Sequence, residues 1–183
     1  HGFEQIYAEW RDASGLVEVV GLTLGGLALQ DGQPPLPAGA EPLESRRVFR
    51  TLLGERHNRI VTTLAKERRA VAARWGVRNL PSTDEWLDRF AGTMAGTMAR
   101  PVPQPNQADD LIRCATMGSL VPLQSAAQLA ELPVPATSAM IELAHQSIGG
   151  DLLHAGRRLD NMGFVNTDLD GIRTQLDAMT VAT

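Results

Sequence analysis

Asp109, Asp110 and Arg113 stand within about one helical turn of each other in "DDLIRC", residues 109 to 114. A carboxylate can take up or release a proton, and a guanidinium presents a planar fork of donors that matches a bound carboxylate. Asp109 and Asp110 are therefore candidate proton-handling residues, and Arg113 a candidate clamp for an acid. A plainer reading competes. The two aspartates could be the cap and first turn of a helix holding Leu111, Ile112 and Cys114, with Arg113 a surface arginine. Arg157, in "AGRRLDNMGF" (155–164), is a second candidate for meeting a carboxylate, or for bracing the last helices.

Other reactive side chains are sparse. The histidines are His1, His57, His145 and His154, and no pair has the spacing of a zinc site with a third ligand in reach. No metal site is expected. His57, between Arg56 and Arg59, reads as part of a solvated helix start; His145 reads as a helix-face residue and His154 as a surface or supporting one. The single cysteine, Cys114, excludes an internal disulfide and fits a reducing, cytoplasmic setting. It is expected to be a small buried hydrophobe.

The chain has 183 residues, 43% of them hydrophobic but only 4% aromatic. A core of Leu, Ala, Val and Met favours helices over a β-sandwich. A formal net charge of −4 offers no broad basic face, so nucleic acid is not an expected partner. The most apolar stretch, "LVEVVGLTLGGLAL" (16–29), carries Glu18 and falls short of the roughly 18 apolar residues that span a bilayer, so no membrane partner is expected either.

Periodicity then places the elements. Residues 1–12 carry Phe3, Ile6, Tyr7 and Trp10 at helical spacing, and residues 16–29 read as a second helix. "QDGQPPLPAGAEP" (30–42) is a loop, dividing an N-terminal segment, 1–42, from a helical domain, 43–183. Residues 43–76 read as a long helix, open to a break at Gly54 and stopped by Gly76. Ile60, Val61, Leu64, Val71, Ala72 and Trp75 form its apolar stripe, while Glu67, Arg68 and Arg69 face outward. A helix over 80–92, capped by Ser82 or Thr83, precedes a Pro-rich loop over 99–107. Val121-Pro122 reads as a turn, and Ser125 opens a short helix that Pro133 and Pro135 end. A helix from about Thr137 stops at Gly149-Gly150. Asp151 caps another, which Gly163 ends, and Asn166 or Thr167 caps the last, with Leu169, Ile172 and Leu176 inward. The sum is an all-α, compact helical bundle.

The order of parts in "LVPLQSAAQLAELPVPATSAMIELAHQSIGGDLLHAGRRLDNMGF" (120–164) resembles the closing part of the opine dehydrogenases of the octopine/nopaline type. The matching pieces are Val121-Pro122, Leu132-Pro133-Val134-Pro135, Gly150-Asp151, Gly156-Arg157 with Leu159, and Met162-Gly163-Phe164. Upstream, "LAKERRAVAARWGVRNLPSTDEWL" (64–87) is similar to the family's Glu-Arg helix, with Glu67-Arg68 as the pair, which could be structural and form an ion pair with a neighbouring helix. The resemblance covers about residues 60–164, and members that make staphylopine-like metallophores are a plausible subgroup.

The resemblance implies the helical C-terminal, substrate-side domain of an NAD(P)-dependent enzyme, similar in fold to that of 6-phosphogluconate-dehydrogenase-like proteins. Such an enzyme joins an amino acid to an α-keto acid and reduces the imine. NAD or NADP would be held mainly by a Rossmann domain missing from this chain; "GLTLGG" (21–26) lacks the spacing for one. The Rossmann domain and the two substrates are thus the implied partners, and the domain admits a homodimer. The family pairs a histidine with an acid before the Val-Pro turn. Here His1 falls near the histidine's place, with a tag remnant as the competing reading, and Asp109 or Asp110 would supply the acid. The sequence departs from the family in carrying "CATMGSLVP" where the acid stands closer to the turn. Two other readings remain: a helical interaction or dimerisation module without chemistry, and the C-terminal domain of a β-hydroxyacid dehydrogenase or ketopantoate reductase. The latter enzymes usually carry a catalytic lysine, and Lys66 is the only lysine available.

Overall fold

A computed structural model describes residues 14–30, 55–77, 80, 82, 105–164, 168–172 and 174. All regular structure among them is helical: α1 (Ser14–Gln30), α2 (Glu55–Arg74), α3 (Pro105–Ala115), a π-helical segment (Thr116–Leu120), α4 (Val121–Leu129), α5 (Pro135–Ile148) and α6 (Leu152–Ala155), with a further helical turn at 169–172. The expected helices over 1–12 and 80–92, the loop over 30–42, the break at Gly54, the cap at Asn166 or Thr167, Leu176 and His1 lie outside the described residues, save for non-helical Leu80 and Ser82 and for Gln30, which is the last residue of α1 and not of the loop.

Helix α1 packs on α3, α2, the π segment and α5. Its Leu16, Val19, Val20 and Leu22 join Val61 and Leu64 of α2, Ile112 and Ala115 of α3, Leu120, Val121 and the inner face of α5 in one core. Close approach at its start depends on Gly15, where an added Cβ would stand 2.1 Å from Ser119 Oγ. A second core gathers Val71, Trp75, Leu123, Ala126, Ala127 and Ile172. Trp75 donates its indole N–H to the Ala126 carbonyl at 3.1 Å, tying the end of α2 to α4.

Helix α2 keeps its expected stripe and ends at Gly76 in left-handed backbone (φ 87°). The Gly76 and Val77 amides return to the Ala73 and Ala72 carbonyls at 3.0 and 2.8 Å, the paired bonds of a Schellman cap. The expectation that Glu67, Arg68 and Arg69 face outward fails. Arg68 is 4% exposed and Glu67 is partly buried, turned towards the start of α5.

Three other expectations are corrected between residues 99 and 129. Pro105 opens α3 instead of ending a loop, because proline lacks only an amide that a helix's first turn leaves unbonded anyway. Asp109 and Asp110 consequently sit beyond the first turn of α3 and do not cap it. Val121-Pro122 is helical, so residues 105–129 run as one continuous helix and Ser125 opens nothing.

The π segment explains how the helix passes Pro122. Val121 N–H bonds to Thr116 O, five residues back, and the ring at Pro122 has no amide to bond to Met117 O. That carbonyl accepts instead from the Arg157 amide at 3.1 Å. Gly156 permits this approach: a Cβ there would stand 2.7 Å from Val121 Cγ1 and 2.9 Å from Leu152 O. The helix expected from Asp151 to Gly163 is correspondingly only Leu152–Ala155, after which the chain turns extended at Gly156 to reach the π segment. Ser125 Oγ accepts from the Leu159 amide at 3.0 Å, and Asn161 Nδ2 donates to Gly156 O at 2.7 Å, fixing the loop that follows.

Helix α5 begins at Pro135 without a capping side chain of its own, since its N-cap is Val134. The Glu67 carboxylate takes that role across the chain. It accepts from the Ala136 amide at 2.8 Å, the Thr137 amide at 2.8 Å and Thr137 Oγ1 at 2.7 Å. Pro135 has no amide, and Ser138 N bonds to Val134 O at 3.0 Å, so every donor of the first turn is accounted for. At the other end Gly149 and Gly150, at φ 69° and 85°, stop the helix as expected. In the last turn described, Asp168 Oδ1 accepts from the Gly171 amide at 2.7 Å, and Leu169 and Ile172 are buried.

Candidate functional site

The candidate residues of α3 share its outer side. Asp109, Asp110 and Cys114 are exposed, and Arg113 is partly buried. Cys114 is therefore not the buried hydrophobe expected. Ile112, Ala115 and Thr116 fill the inward register, and position 114 points away from it. Val121 is fully buried against Gly156, so it lines no surface that a ligand could reach. No ion pair joins Arg113 to Asp109 or Asp110 among the described residues.

Arg113 is directed instead at the turn that ends α5. A Cβ on Gly150 would meet its Nη1 at 2.9 Å, so the guanidinium lies where only glycine leaves room. His145, in the last turn of α5, bonds through Nδ1 to the Gly150 carbonyl. A carbonyl can only accept, so Nδ1 carries the proton in this bond and Nε2 is the other ring edge.

The adjoining Asp151 caps α6 by accepting from the His154 amide at 3.1 Å, and the His154 ring places Nδ1 2.8 and 2.7 Å from its two carboxylate oxygens. The His154 backbone bond first, then the bond from its ring, hold the Asp151 carboxyl below its ordinary value, with smaller help from the charges of His154 and His145. Asp160 is likewise lowered, chiefly by the Arg158 side chain, whose Nε donates at 3.0 Å and whose Nη2 makes a second close contact. Both carboxylates are solvent-exposed and already engaged.

The structure thus brings Asp109, Asp110 and Arg113 onto one helix and sets Arg113 against Gly150. Arg157 is placed elsewhere: its backbone amide braces the π segment, and its side chain is exposed. The sequence allows Glu67 a tie to a neighbouring helix without pointing to the start of α5, and it leaves His145 on a helix face without a partner in the turn. For Glu67 a signal existed in Val134-Pro135, a helix start with no side-chain oxygen to cap it. For His145 the signal was a histidine one turn before Gly149-Gly150. Among the described residues no three His, Cys, Asp or Glu side chains are grouped to hold a metal ion, and no helix is long and apolar enough to cross a membrane. No known family model matches the chain, and no curated protein matches its sequence.

Proposed function

We propose that this chain is the substrate-side helical domain of an NAD(P)-dependent opine-type dehydrogenase of the cytoplasm. An amino acid's amine condenses with an α-keto acid with loss of water, and the imine takes up a hydride from NAD(P)H and a proton. The product is a secondary amine dicarboxylate. Asp109 and Asp110 are the acids offered for proton handling and Arg113 the guanidinium for a substrate carboxylate, with Arg157 as a second. His1 remains the candidate histidine, and the nucleotide would be held by a Rossmann domain.

One observation carries this reading. Two of the separated pieces on which the resemblance rests lie against one another: Gly156 on Val121, and the Arg157 amide on the π segment before Pro122. The test is amine- and keto-acid-dependent NAD(P)H oxidation by the full-length gene product over a panel of amino and keto acids. Turnover that needs both substrates is expected, and its absence across the panel sinks the reading.

A docking or dimerising module without chemistry is the second reading, favoured by the exposed apolar side chains of Leu143, Leu153 and Met162. Light scattering separates the two, since a strict monomer removes the support for self-association.

A further inference from the structure

We propose that the outer face of α2 is a docking strip for a short acidic segment of a partner protein. The proposal does not depend on the dehydrogenase reading.

The net charge of −4 is unevenly distributed. Helix α2 holds six of the 17 basic residues and two of the 21 acidic ones, so it carries +4 and the remainder of the chain −8. Of its two acids, Glu67 is turned to the start of α5, and Glu55 stands 3.6 Å from Arg59. Arg56, Arg59 and Lys66 are exposed, and Arg69 is partly so. At 3.6 residues per turn these four lie on the side away from the buried Val61, Leu64 and Val71. At about 1.5 Å per residue they span about 20 Å.

The folded chain does not neutralise this strip. Arg56, Lys66 and Arg69 have no ion pair among the described residues. Neither Lys66 nor Arg69 has an acid three or four residues away along the helix. The pairs Arg56–Arg59 and Lys66–Arg69 instead set like charges three residues apart, where helix side chains are neighbours and repel. Arg56 also stands in the first turn, at the positive end of the helix dipole. An anion laid along the strip relieves all of these contacts together.

The surroundings select the kind of anion. The exposed residues beside the cations include Thr62, Thr63, Ala70 and Ala73. They offer no large apolar side chain to enter a bilayer and no aromatic ring to stack on a base. A membrane surface or a long nucleic-acid strand extends past the helix, and would come against the acid-rich remainder within the screening distance of about 8 Å. An extended acidic segment of about six residues covers the 20 Å and ends where the cations end. Its carboxylates can take the arginine forks in bidentate fashion.

Titrating the full chain into a labelled oligo-glutamate peptide, followed by fluorescence anisotropy, tests the strip, with oligothymidylate and phosphatidylserine-containing vesicles assayed alongside. Saturable peptide binding that weakens as salt is raised is expected, tighter than binding to either alternative. Arg56→Gln combined with Lys66→Gln takes one cation from each repelling pair and should weaken the peptide about tenfold without lowering the melting temperature. Ala139→Glu combined with Ala155→Glu lowers the net charge equally at exposed positions outside α2, and should weaken it about twofold at most. Should the double glutamine variant fail to fold, Lys66→Gln alone must still weaken binding about threefold. No saturable binding, equal weakening by the two double variants, or tighter binding of oligothymidylate or vesicles overturns the proposal. Salt-sensitive self-association that Arg56→Gln with Lys66→Gln abolishes overturns it in favour of a second copy of the chain.

Discussion

The two ends of α5 are built on opposite plans. At the N-terminal end a remote carboxylate, Glu67, meets the Ala136 and Thr137 amides and the Thr137 hydroxyl, and a proline occupies the position where an amide would otherwise be left over. That end has no polar group to spare. At the C-terminal end the helix stops on two glycines, and around the second sit a guanidinium and an imidazole that the chain only partly engages. A saturated terminus contributes stability and offers nothing to a ligand. An unsaturated one gives up some stability and keeps its donors for something else. The contrast within a single helix is informative beyond the bare presence of charged residues: Glu67 and Arg113 are both charged and both partly buried, but among the described residues only Glu67 hydrogen-bonds to a helix end.

The largest expected effect lies at the saturated end. Glu67→Ala strips the acceptor from two amides and a hydroxyl at once, and should cost about 2–3 kcal/mol. For a chain of this size that lowers the melting temperature by roughly 5–10 °C, read by calorimetry. Glu67→Gln keeps one acceptor oxygen and should recover part of the loss. A Glu67→Ala protein as stable as the parent would show that the first turn of α5 is not held from α2, and the contrast between the two ends would fail.

Gly150→Ala is the matching change at the other end, and its effect on stability should be smaller. An alanine held at φ 85° costs about 1 kcal/mol. The clash with Arg113 is with the far end of a long side chain, which can swing aside cheaply. Stability and position should therefore separate: a modest drop in melting temperature, with the Arg113 side-chain NMR signal clearly displaced. If Gly150→Ala proves as damaging as Glu67→Ala, the C-terminal turn is a structural lock as well, and the distinction drawn here is wrong.

How much of this was legible in the sequence follows the range of the interactions involved. Helix α2 and the end of α5 could be read directly, because the stripe from Ile60 to Trp75, the stop at Gly76 and the pair Gly149-Gly150 act within a turn or two of backbone. Prolines misled where tertiary contacts decide their meaning. Pro105 fits the first turn of α3, and Pro122 is absorbed within a helix because Arg157, 35 residues on by number, supplies the amide for Met117 O. Nothing near Pro122 announces that donor. Glu67 is legible as an outward charge or as a tie to a neighbouring helix, but only the arrival of α5 shows that its carboxylate meets backbone amides and a hydroxyl. Cys114 failed for another reason: burial was inferred from residue type, whereas the register set by Ile112 and Ala115 turns position 114 outward. The candidate acids and Arg113 are legible as types and spacing, but the approach of Arg113 to Gly150 comes only with the fold.

The smallest effect concerns the turn after Gly150, and its sign is fixed by Asp151. Its carboxyl is held below the ordinary range, first by the His154 amide and next by the His154 ring. A folded-state value below the unfolded one means that the ionised carboxylate favours the folded chain. That contribution is fully present above the unfolded value, about 3.9, and is lost as pH falls through the lower folded one. Asp151→Asn, which cannot ionise, should therefore melt slightly below the parent at neutral pH, and the gap should close on acidification below about pH 4. Because the side chain is exposed, the gap should be smaller than for Gly150→Ala and should shrink in salt. A gap that instead widens in acid would mean that the carboxylate disfavours the folded turn.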